Sequence, residues 1–402
     1  MDAGVYAGNV TLTAADNGLS LLAASGVVTL TGSIGVTKAS AVTISGLTFH
    51  GNGTSVAIAT LNSKSLTVTN NTFTGTGQAI VLDGTTGSTV SDNLMTNSTN
   101  SAIEAMNGGH NNVFDSNVIN GVTTVGTIGA IWLHGANNST VTHNQITNVT
   151  GAAISLMDFY GPGNIETQNN NSLVAYNSVD HVATQSSDGG AIYILGRSQN
   201  PLTNIAVKMN FIGATGSFGA LGVGIYLDDN TSGVTVSQNI VRAAPFLAAG
   251  FEIHGGSNNT ISGNIFDLGT GQTNGLPDFG LLQSDVPELT PQDPFSQLQN
   301  NKITGNIFVT ESQTPRNPVF ANLTQGFGSI TITANDFWSY SGATLHVTGT
   351  GASGDTAPQF VRPAALPAQS LSDYATWSGA GIGFQAINTT LIGLAPTGPH
   401  PY

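Results

Sequence analysis

The chain has 402 residues, no cysteine, 51 glycines, 7% charged residues and a formal net charge of −14. Its 8 Lys and Arg residues stand singly, which excludes the basic face needed to bind nucleic acid or an anionic membrane surface. No apolar run reaches the roughly 18 residues of a membrane span. The absence of cysteine excludes disulfides and thiol nucleophiles, and 39% hydrophobic residues argue against disorder.

A strand pattern begins almost at the N-terminus, where apolar and small residues alternate over residues 4–12. No basic segment followed by an apolar stretch, as in a signal peptide, stands before it. We therefore expect a secreted bacterial protein whose signal or upstream module precedes Met1.

One short phrase returns between residues 46 and 340: alternating apolar residues, an Asn, and a further apolar residue. The clear copies are 68–73, 90–95, 141–146, 236–241, 261–266 and 303–308, weaker copies place Asn117, Asn177, Asn210 and Asn335 at the same point, and Gly46 opens the series. Turns of roughly 22 to 25 residues with insertions are typical of a solenoid. A β-sandwich with independent Asn turns is the alternative, but it gives no reason for apolar residues at fixed offsets.

Stacked parallel strands bring identical side chains to about 4.8 Å from one another. An Asn column at a bend can therefore hydrogen-bond along its own ladder. The repeat predicts an all-β fold, a single-stranded right-handed parallel β-helix of about ten or more coils, over residues 1–340. Residues 341–402, rich in Pro and Gly, are expected to form a C-terminal cap and an extension packed on the helix.

A second strand phrase precedes each Asn, at 79–83, 102–106, 130–134, 153–157, 191–195, 224–228 and 250–254. Side chains of a strand alternate between its two faces, so the Ile, Phe and Leu positions point inward. One outward column is Val81, Glu104, Trp132, Ser155, Tyr193, Tyr226 and Glu252; its neighbour is Asp83, Met106, His134, Met157, Leu195, Asp228 and His254.

These two columns concentrate aromatic and ionisable residues in a chain that has few of either. Exposed aromatic rings beside carboxylates and imidazoles suit a sugar, which needs a flat apolar surface and hydrogen-bonding groups for its hydroxyls. The alternative is a solvated strand face whose aromatic side chains stack for stability. The partner we expect is a poly- or oligosaccharide.

The repeat over residues 40–340 resembles that of the pectin-lyase-like superfamily. Residues 188–193 (DGGAIY) and 224–229 (GIYLDD) resemble segments of β-helical glycoside hydrolases, notably the family with α-L-fucosidase and xylanase activities. In that family two aspartates on successive coils are catalytic. The resemblance implies Asp188 and either Asp228 or Asp229 as the catalytic pair.

The chemistry of the residues agrees with a glycoside hydrolase. Glycoside hydrolysis uses two carboxyl groups, and crowded carboxylates raise one pKa, which yields an acid and a base together. Glu252, one coil beyond Asp228, is a third candidate. The remaining candidates are expected to bind substrate: Tyr193 and Tyr226 as a sugar platform, His254 as a proton shuttle or hydroxyl ligand, Arg197 toward an acidic substituent, Asp158 at the rim, and Glu104, Trp132 and His134.

No cofactor is expected, although Asp228, Asp229 and Asn230 together are an alternative Ca²⁺ site. The same aspartates, and Asp188, could instead only shape turns. A polysaccharide lyase or uronate epimerase, with or without Ca²⁺, is the rival enzyme; it needs a cation at the uronate carboxylate, and Arg197 and Lys208 are the nearby ones. A non-catalytic carbohydrate-binding or adhesin module is the third possibility.

Overall fold

The computed structural model describes the backbone of residues 1–124, 126–157, 159–160, 166–167, 169–186, 188–196, 204–217, 222–229, 231–242, 247–269, 279–284, 298–310, 319–322, 330–339, 371–375, 377 and 382–394. At 159–160, 166–167, 247–248, 279–284 and 319–322 only the backbone is described.

Strands from successive coils form three parallel sheets of 13, 12 and 12 strands. Sheet A contains β1 (Gly4–Tyr6), β4 (Val28–Leu30), β7 (Leu47–His50), β10 (Thr72–Thr74), β13 (Leu94–Ser98), β16 (Val118–Val122), β19 (Gln145–Val149), β24 (Ser178–Asp180), β27 (Phe211–Ile212), β30 (Ile240–Arg242), β33 (Ile265–Asp267), β36 (Ile307–Thr310) and β39 (Asp336–Ser339).

Sheet B contains β2 (Val10–Leu12), β5 (Ile34–Thr37), β8 (Val56–Leu61), β11 (Gln78–Asp83), β14 (Ile103–Met106), β17 (Gly129–His134), β20 (Ala152–Met157), β25 (Gly190–Leu195), β28 (Gly222–Asp228), β31 (Leu247–His254), β34 (Phe279–Ser284) and β37 (Val319–Asn322).

Sheet C contains β3 (Ser20–Leu22), β6 (Thr43–Ser45), β9 (Thr67–Thr69), β12 (Thr89–Ser91), β15 (Val113–Asp115), β18 (Thr140–Thr142), β23 (Leu173–Ala175), β26 (Ile205–Lys208), β29 (Val234–Ser237), β32 (Thr260–Ser262), β35 (Lys302–Thr304) and β38 (Thr331–Thr333).

Each coil contributes one strand to every sheet, so the described strands make twelve complete coils and a last strand in sheet A. An antiparallel pair, β21 (Phe159–Tyr160) and β22 (Glu166–Thr167), interrupts the seventh coil. The 3₁₀-helices of the described residues are Ala14–Asp16, Leu371–Tyr374 and Thr389–Leu391. None of the helices in this part of the chain has the length and hydropathy to cross a membrane. The predicted parallel β-helix is confirmed.

The repeated Asn residues form a continuous buried ladder between sheets C and A. Asn144 is typical: its backbone N–H and its side-chain amide both donate to Oδ1 of Asn177, at 2.9 Å each. The same amide also donates to the carbonyl of Phe114 in the previous coil at 3.0 Å. Because the residues are fully buried, these bonds satisfy amide groups that would otherwise be costly to remove from water.

A left-handed backbone residue precedes every Asn of the ladder and turns the chain from sheet C into sheet A. The φ values of Asn70, His143 and Tyr176 are 55°, 54° and 62°. Glycine tolerates such values best, and Gly46, Gly263 and Gly305 hold this position in other coils. The turn repeats because the Asn bonds fix the same corner in each coil.

Inward-facing apolar residues stack on their own kind along the helix axis. Phe49 and Phe73, paired in register, stack with ring centroids 4.8 Å apart, and Phe308 stacks on Phe337 at 4.6 Å. The Ile and Val positions of all three sheets complete one core that is almost inaccessible to solvent. Hydrophobic burial in this interior is the main favourable term for the fold.

The C-terminal segment packs against the outer face of sheet A in the later coils. Tyr374 and Trp377, both at most 1% exposed, lie in one apolar cluster with Phe211 and Ile240 of that sheet. The Tyr374 hydroxyl also donates to Asp267 Oδ2 at 2.8 Å. Of the predicted cap and extension, residues 341–370 lie outside the described part, so that assignment stays a prediction.

Replacing Asn177 with Ala should strongly destabilise the β-helix. The change removes the acceptor of the Asn144 backbone N–H, one acceptor of the Asn144 side-chain amide, and a donor to the Val141 carbonyl, and each unpaired buried group costs about 1–3 kcal/mol. We expect the free energy of unfolding to fall by at least about 3 kcal/mol in urea unfolding followed by circular dichroism. Asn120→Ala, on the exposed face of sheet A, is the control, and equal losses in both variants would contradict the ladder's role.

Candidate functional site

Three neighbouring strands of sheet B, β25, β28 and β31, carry the residues that the sequence singles out. The register pairs Tyr193 with Tyr226, and Tyr226 with Glu252. It also pairs Leu195 with Asp228, so that Asp228 lies in the neighbouring outward column. The structure thus aligns both columns as the alternation of side chains predicts. We use the name acidic cluster for Asp228, Asp229 and Glu252 with His254 and Tyr193.

Asp228 lies at the centre of the acidic cluster and is 5% exposed. The Tyr193 hydroxyl donates to Asp228 Oδ2 at 2.5 Å. His254 Nδ1 lies 2.7 Å from Oδ1, and the Asp229 backbone N–H donates to the same oxygen at 2.8 Å. Both carboxylate oxygens therefore have hydrogen-bond donors, and the structure gives Asp228, rather than Asp229, the central position.

Asp229 follows directly after the strand, where the chain makes a tight turn. Its φ of 29° is unusual for a residue other than glycine, and the Thr231 backbone N–H donates back to the Asp228 carbonyl at 3.2 Å. The turn directs Asp229 Oδ1 to 3.6 Å from His254 Nδ1. Asp229 therefore adds negative charge beside the imidazole.

The two buried carboxyl groups of neighbouring coils have pKa values displaced in opposite directions. Burial raises the pKa of Glu252 to about 7; His254 opposes the rise, and the negative charges of Asp228 and Asp188 add to it. Burial also acts to raise the pKa of Asp228, but hydrogen bonds from His254 and Tyr193 outweigh it and hold that pKa below the usual value. Near neutral pH, Asp228 is ionised while Glu252 retains a proton for part of the time.

The pKa of His254 is raised by the carboxylates around it. Burial lowers the pKa of an imidazole, but the hydrogen bond and charge of Asp228, with the charges of Asp229 and Glu252, raise the pKa of His254 overall. Its side chain is 27% exposed, against 7% for Asp228. His254 is consequently the solvent-facing side of the pair.

The tyrosines differ from the expected exposed sugar platform. Tyr193 is 2% and Tyr226 is 6% exposed, and their rings meet edge to face with centroids 5.4 Å apart. They pack with Met157 and Leu195 in a second apolar cluster on the outside of sheet B. Burial raises the pKa of both phenols, so Tyr193 acts as a hydrogen-bond donor to Asp228.

Asp188 lies before the first residue of β25, whereas Asp228 is the last residue of β28. Asp188 is exposed, and its backbone N–H and carbonyl both bond to the Ser186 hydroxyl, at 3.3 and 2.9 Å. Both bonds are made by the Ser186 side chain to the backbone of residue 188, so it is Ser186 that holds this turn. Its charge nevertheless contributes to raising the pKa of Glu252, so the side chain belongs to the electrostatic surroundings of the acidic cluster.

Three further candidates form a separate group on the same face. Glu104 Oε1 lies 2.8 Å from His134 Nε2, and the Trp132 and His134 rings stack with centroids 4.3 Å apart. The structure places this group in earlier coils than the acidic cluster. Arg197 and Asp158, the remaining candidates, lie outside the described residues, as does Asn230.

Asp228, Asp229 and His254 bring potential metal ligands close together. One ligand atom each from Asp228, Asp229 and His254 lie within 4.8 Å of one another. Two carboxylates and an imidazole are not a typical Ca²⁺ set, because Ca²⁺ takes six to eight oxygen ligands. Asp228 is also already bonded to Tyr193 and His254. The described residues therefore fit an acid–base cluster better than the alternative Ca²⁺ site.

Sequence reasoning named Tyr193, Asp228 and His254 but missed the hydrogen bonds between them. Tyr193 and Asp228 are diagonal neighbours, one coil and two positions apart, and Glu104 and His134 stand in the same relation. Diagonal neighbours in a sheet lie within reach of long side chains. The positions of these residues in the two columns were therefore sufficient to predict the hydrogen bonds between them.

A model of a protein family described as right-handed β-helix region matches residues 32–204 and 127–275. No curated protein matches the chain. Among solved structures, a PL6 family polysaccharide lyase from Pseudopedobacter saltans has a TM-score of 0.52 and 14% identity, over 88% of this chain and 82% of the lyase.

Two further solved structures are similar. The A-module of the Azotobacter vinelandii mannuronan C-5 epimerase AlgE6 has a TM-score of 0.52 and 13% identity, over 88% of both chains. The catalytic unit of a GH87 α-1,3-glucanase from Streptomyces thermodiastaticus has a TM-score of 0.44 and 14% identity, over 85% of this chain and 63% of the glucanase. At such identities the likeness concerns the fold alone.

Replacing Asp228 with Asn should lower the pKa of His254. The change removes the hydrogen bond and charge that contribute most to raising this pKa, while burial, which lowers it, and the charges of Asp229 and Glu252 remain, so the pKa of His254 should fall. The ring resonances of His254, assigned by comparison with His254→Gln, can be followed by NMR across the pH range. Asp92→Asn, at a distant corner of the helix, is the control, and a His254 pKa that does not move would contradict the pairing.

Proposed function

We propose that this chain, which belongs to the right-handed β-helix family, is a glycoside hydrolase. Its substrate is a poly- or oligosaccharide. On a shared fold, local side chains rather than the fold itself decide the chemistry, and the proposal is therefore based on the acidic cluster. The observation that carries the proposal is the pair of buried carboxyl groups on neighbouring coils, Asp228 with a lowered pKa and Glu252 with a pKa raised to about 7. Displaced pKa values of this kind identify the acid and the base of a carboxyl pair.

Glu252 is the general acid of the proposed reaction. Its carboxyl proton passes to the glycosidic oxygen while the bond from that oxygen to the anomeric carbon breaks. The ionised carboxylate of Asp228 faces the positive charge that develops on the anomeric carbon. Water supplies the hydroxyl group of the new reducing end, and its other proton is taken up by a carboxylate of the pair.

The neighbours of Asp228 keep its carboxylate ionised, as stabilisation of a positive charge on the anomeric carbon requires. Tyr193 and His254 both donate hydrogen bonds to its carboxylate, and bonds to a charged group are stronger than those between neutral groups. His254, at the exposed side of the acidic cluster, is placed to bind a sugar hydroxyl. Asp188, which the resemblance to β-helical glycoside hydrolases singles out, is exposed and is proposed to contact the substrate from solvent.

A polysaccharide lyase or uronate epimerase is the second candidate. The observation in its favour is His254, whose pKa is raised by the neighbouring carboxylates, since elimination or epimerisation at C5 needs positive charge near the uronate carboxylate. The similar folds of a polysaccharide lyase and a mannuronan epimerase add to it. Incubation with alginate separates a lyase from a hydrolase, because a lyase yields unsaturated products that absorb in the ultraviolet, whereas a hydrolase yields saturated ones; an epimerase would change the C5 configuration without cleavage.

Digestion of a panel of soluble polysaccharides, analysed by product mass and anomer, tests the hydrolase proposal directly. Reducing ends with the mass of added water are expected, and the product anomer distinguishes retention from inversion. Secretion, expected from the sequence, would place the enzyme with such substrates. A protein that binds polysaccharide and cleaves none would instead be the non-catalytic module.

Glu252→Gln should lower kcat by about 100- to 10,000-fold, the usual contribution of a general acid.

In the unchanged enzyme, activity should fall as pH rises through about 7, because Glu252 then loses its proton. On the acid side it should persist until Asp228, whose pKa is lowered, becomes protonated. The measurement is kcat against pH on the best substrate of the panel.

The matched control for Glu252→Gln is Asp92→Asn, which also removes one carboxylate but lies at the corner between sheets C and A. It should leave kcat and its pH dependence unchanged. Full activity of Glu252→Gln, with unchanged circular dichroism, would rule out Glu252 as the acid. Loss of activity at acid rather than alkaline pH would do the same.

A further inference from the structure

We propose that Trp132 and His134 form a second glycan-binding platform, which holds a polysaccharide chain at a distance from the acidic cluster. The two side chains point outward from β17, and their rings stack with centroids 4.3 Å apart and planes 28° apart. Both are partly exposed, unlike the buried Tyr193 and Tyr226. Among the described outward residues of sheet B, they are the accessible aromatic pair.

The buried carboxylate of Glu104 holds this platform in place. Glu104, 7% exposed, lies 2.8 Å from His134 Nε2 and also accepts a hydrogen bond from the Gln78 amide. Gln78 in turn donates to the Ser101 hydroxyl at 2.9 Å. The imidazole is therefore held in one orientation against the indole, so little conformational freedom remains to be lost on binding.

The position of the platform suggests a long substrate. Trp132 stands in the same column as Ser155, Tyr193, Tyr226 and Glu252, which is four coil steps from Glu252. At about 4.8 Å a step, the separation is roughly 19 Å, several times the size of one sugar ring. A mono- or disaccharide cannot span it, whereas a polysaccharide lying along the helix axis can.

The intervening coil makes the platform a distinct site. Ser155 and Met157 are 0% and 4% exposed, so they offer no surface to a ligand between the two sites. Trp132 packs against the same apolar cluster that contains Met157 and Tyr193, which gives a rigid connection between them. A glycan held on Trp132 would thus have a fixed relation to the acidic cluster.

The chemistry of the platform favours a neutral chain. An indole provides a flat apolar surface for the C–H face of a sugar ring, and the imidazole edge provides hydrogen bonding for hydroxyls. Glu104 and the formal net charge of −14 disfavour a polyanion. The assignment of the bound glycan as a substrate rests on the proposed hydrolase function, whereas the binding itself does not.

Trp132→Ala tests the platform through substrate length. On soluble xylan or a neutral glucan, kcat/KM should fall at least about tenfold because the long chain loses its contact with the indole. A tenfold loss corresponds to about 1.4 kcal/mol. On a di- or trisaccharide of the same linkage kcat/KM should change less than twofold. Tyr6→Ala, which removes an aromatic side chain that is 39% exposed on sheet A, should affect neither substrate.

Affinity electrophoresis in gels containing xylan or glucan tests binding without turnover. Wild-type protein should be retarded and Trp132→Ala should migrate faster, and thermal unfolding shows whether the variant is folded. Equal retardation of both proteins would overturn the platform even if the enzyme cleaves glycans. Retardation that depends on Trp132 in a protein with no hydrolytic activity would instead overturn the proposed function and leave the platform standing. An equal loss of activity on short and long substrates would also contradict the inference.

Discussion

The in-register stacking of parallel coils is the constraint on which the rest of this structure depends. Each coil must repeat its corner closely, because the buried amide of each Asn in the ladder hydrogen-bonds to the coil before it and to the coil after it. The ladder therefore fixes register along the whole helix. Once the register is fixed, residues that are 26 to 35 positions apart, such as His254, Asp228 and Tyr193, meet on one wall.

Much of this could be predicted from the sequence because both periods are visible in it. The recurring Asn fixes where each coil turns, and the alternation along segments such as 191–195 fixes which side chains face outward. The two outward columns follow from these rules alone. They require no knowledge of the loops, whose lengths differ from coil to coil.

What the sequence could not show is how deeply each outward residue is covered. Tyr193 and Tyr226 were expected to be exposed and are buried, because covering by other segments is set by tertiary packing rather than by strand alternation. The sequence predicted a C-terminal cap and an extension packed on the helix, but it did not indicate that Tyr374 and Trp377 pack on sheet A. A signal existed, since one outward column of sheet A changes from the polar Gln145 and Ser178 to the apolar Phe211, Ile240 and Ile307.

The docked C-terminal segment has a consequence for the energetics of the later coils. In a solenoid, a coil is stabilised mainly by its immediate neighbours and cannot draw on the distant end of the stack. Asp228 and Glu252, in neighbouring coils, are 5% and 8% exposed. Hydrogen bonds compensate the burial of Asp228, whereas the raised pKa of Glu252 means that burial of its carboxylate weakens the helix at and above neutral pH. Phe211 and Ile240 belong to those same coils, and Trp377 covers them from the opposite wall. The added hydrophobic layer therefore lies on the same two coils that carry the buried carboxyl groups, and its burial offsets part of the cost of removing them from water.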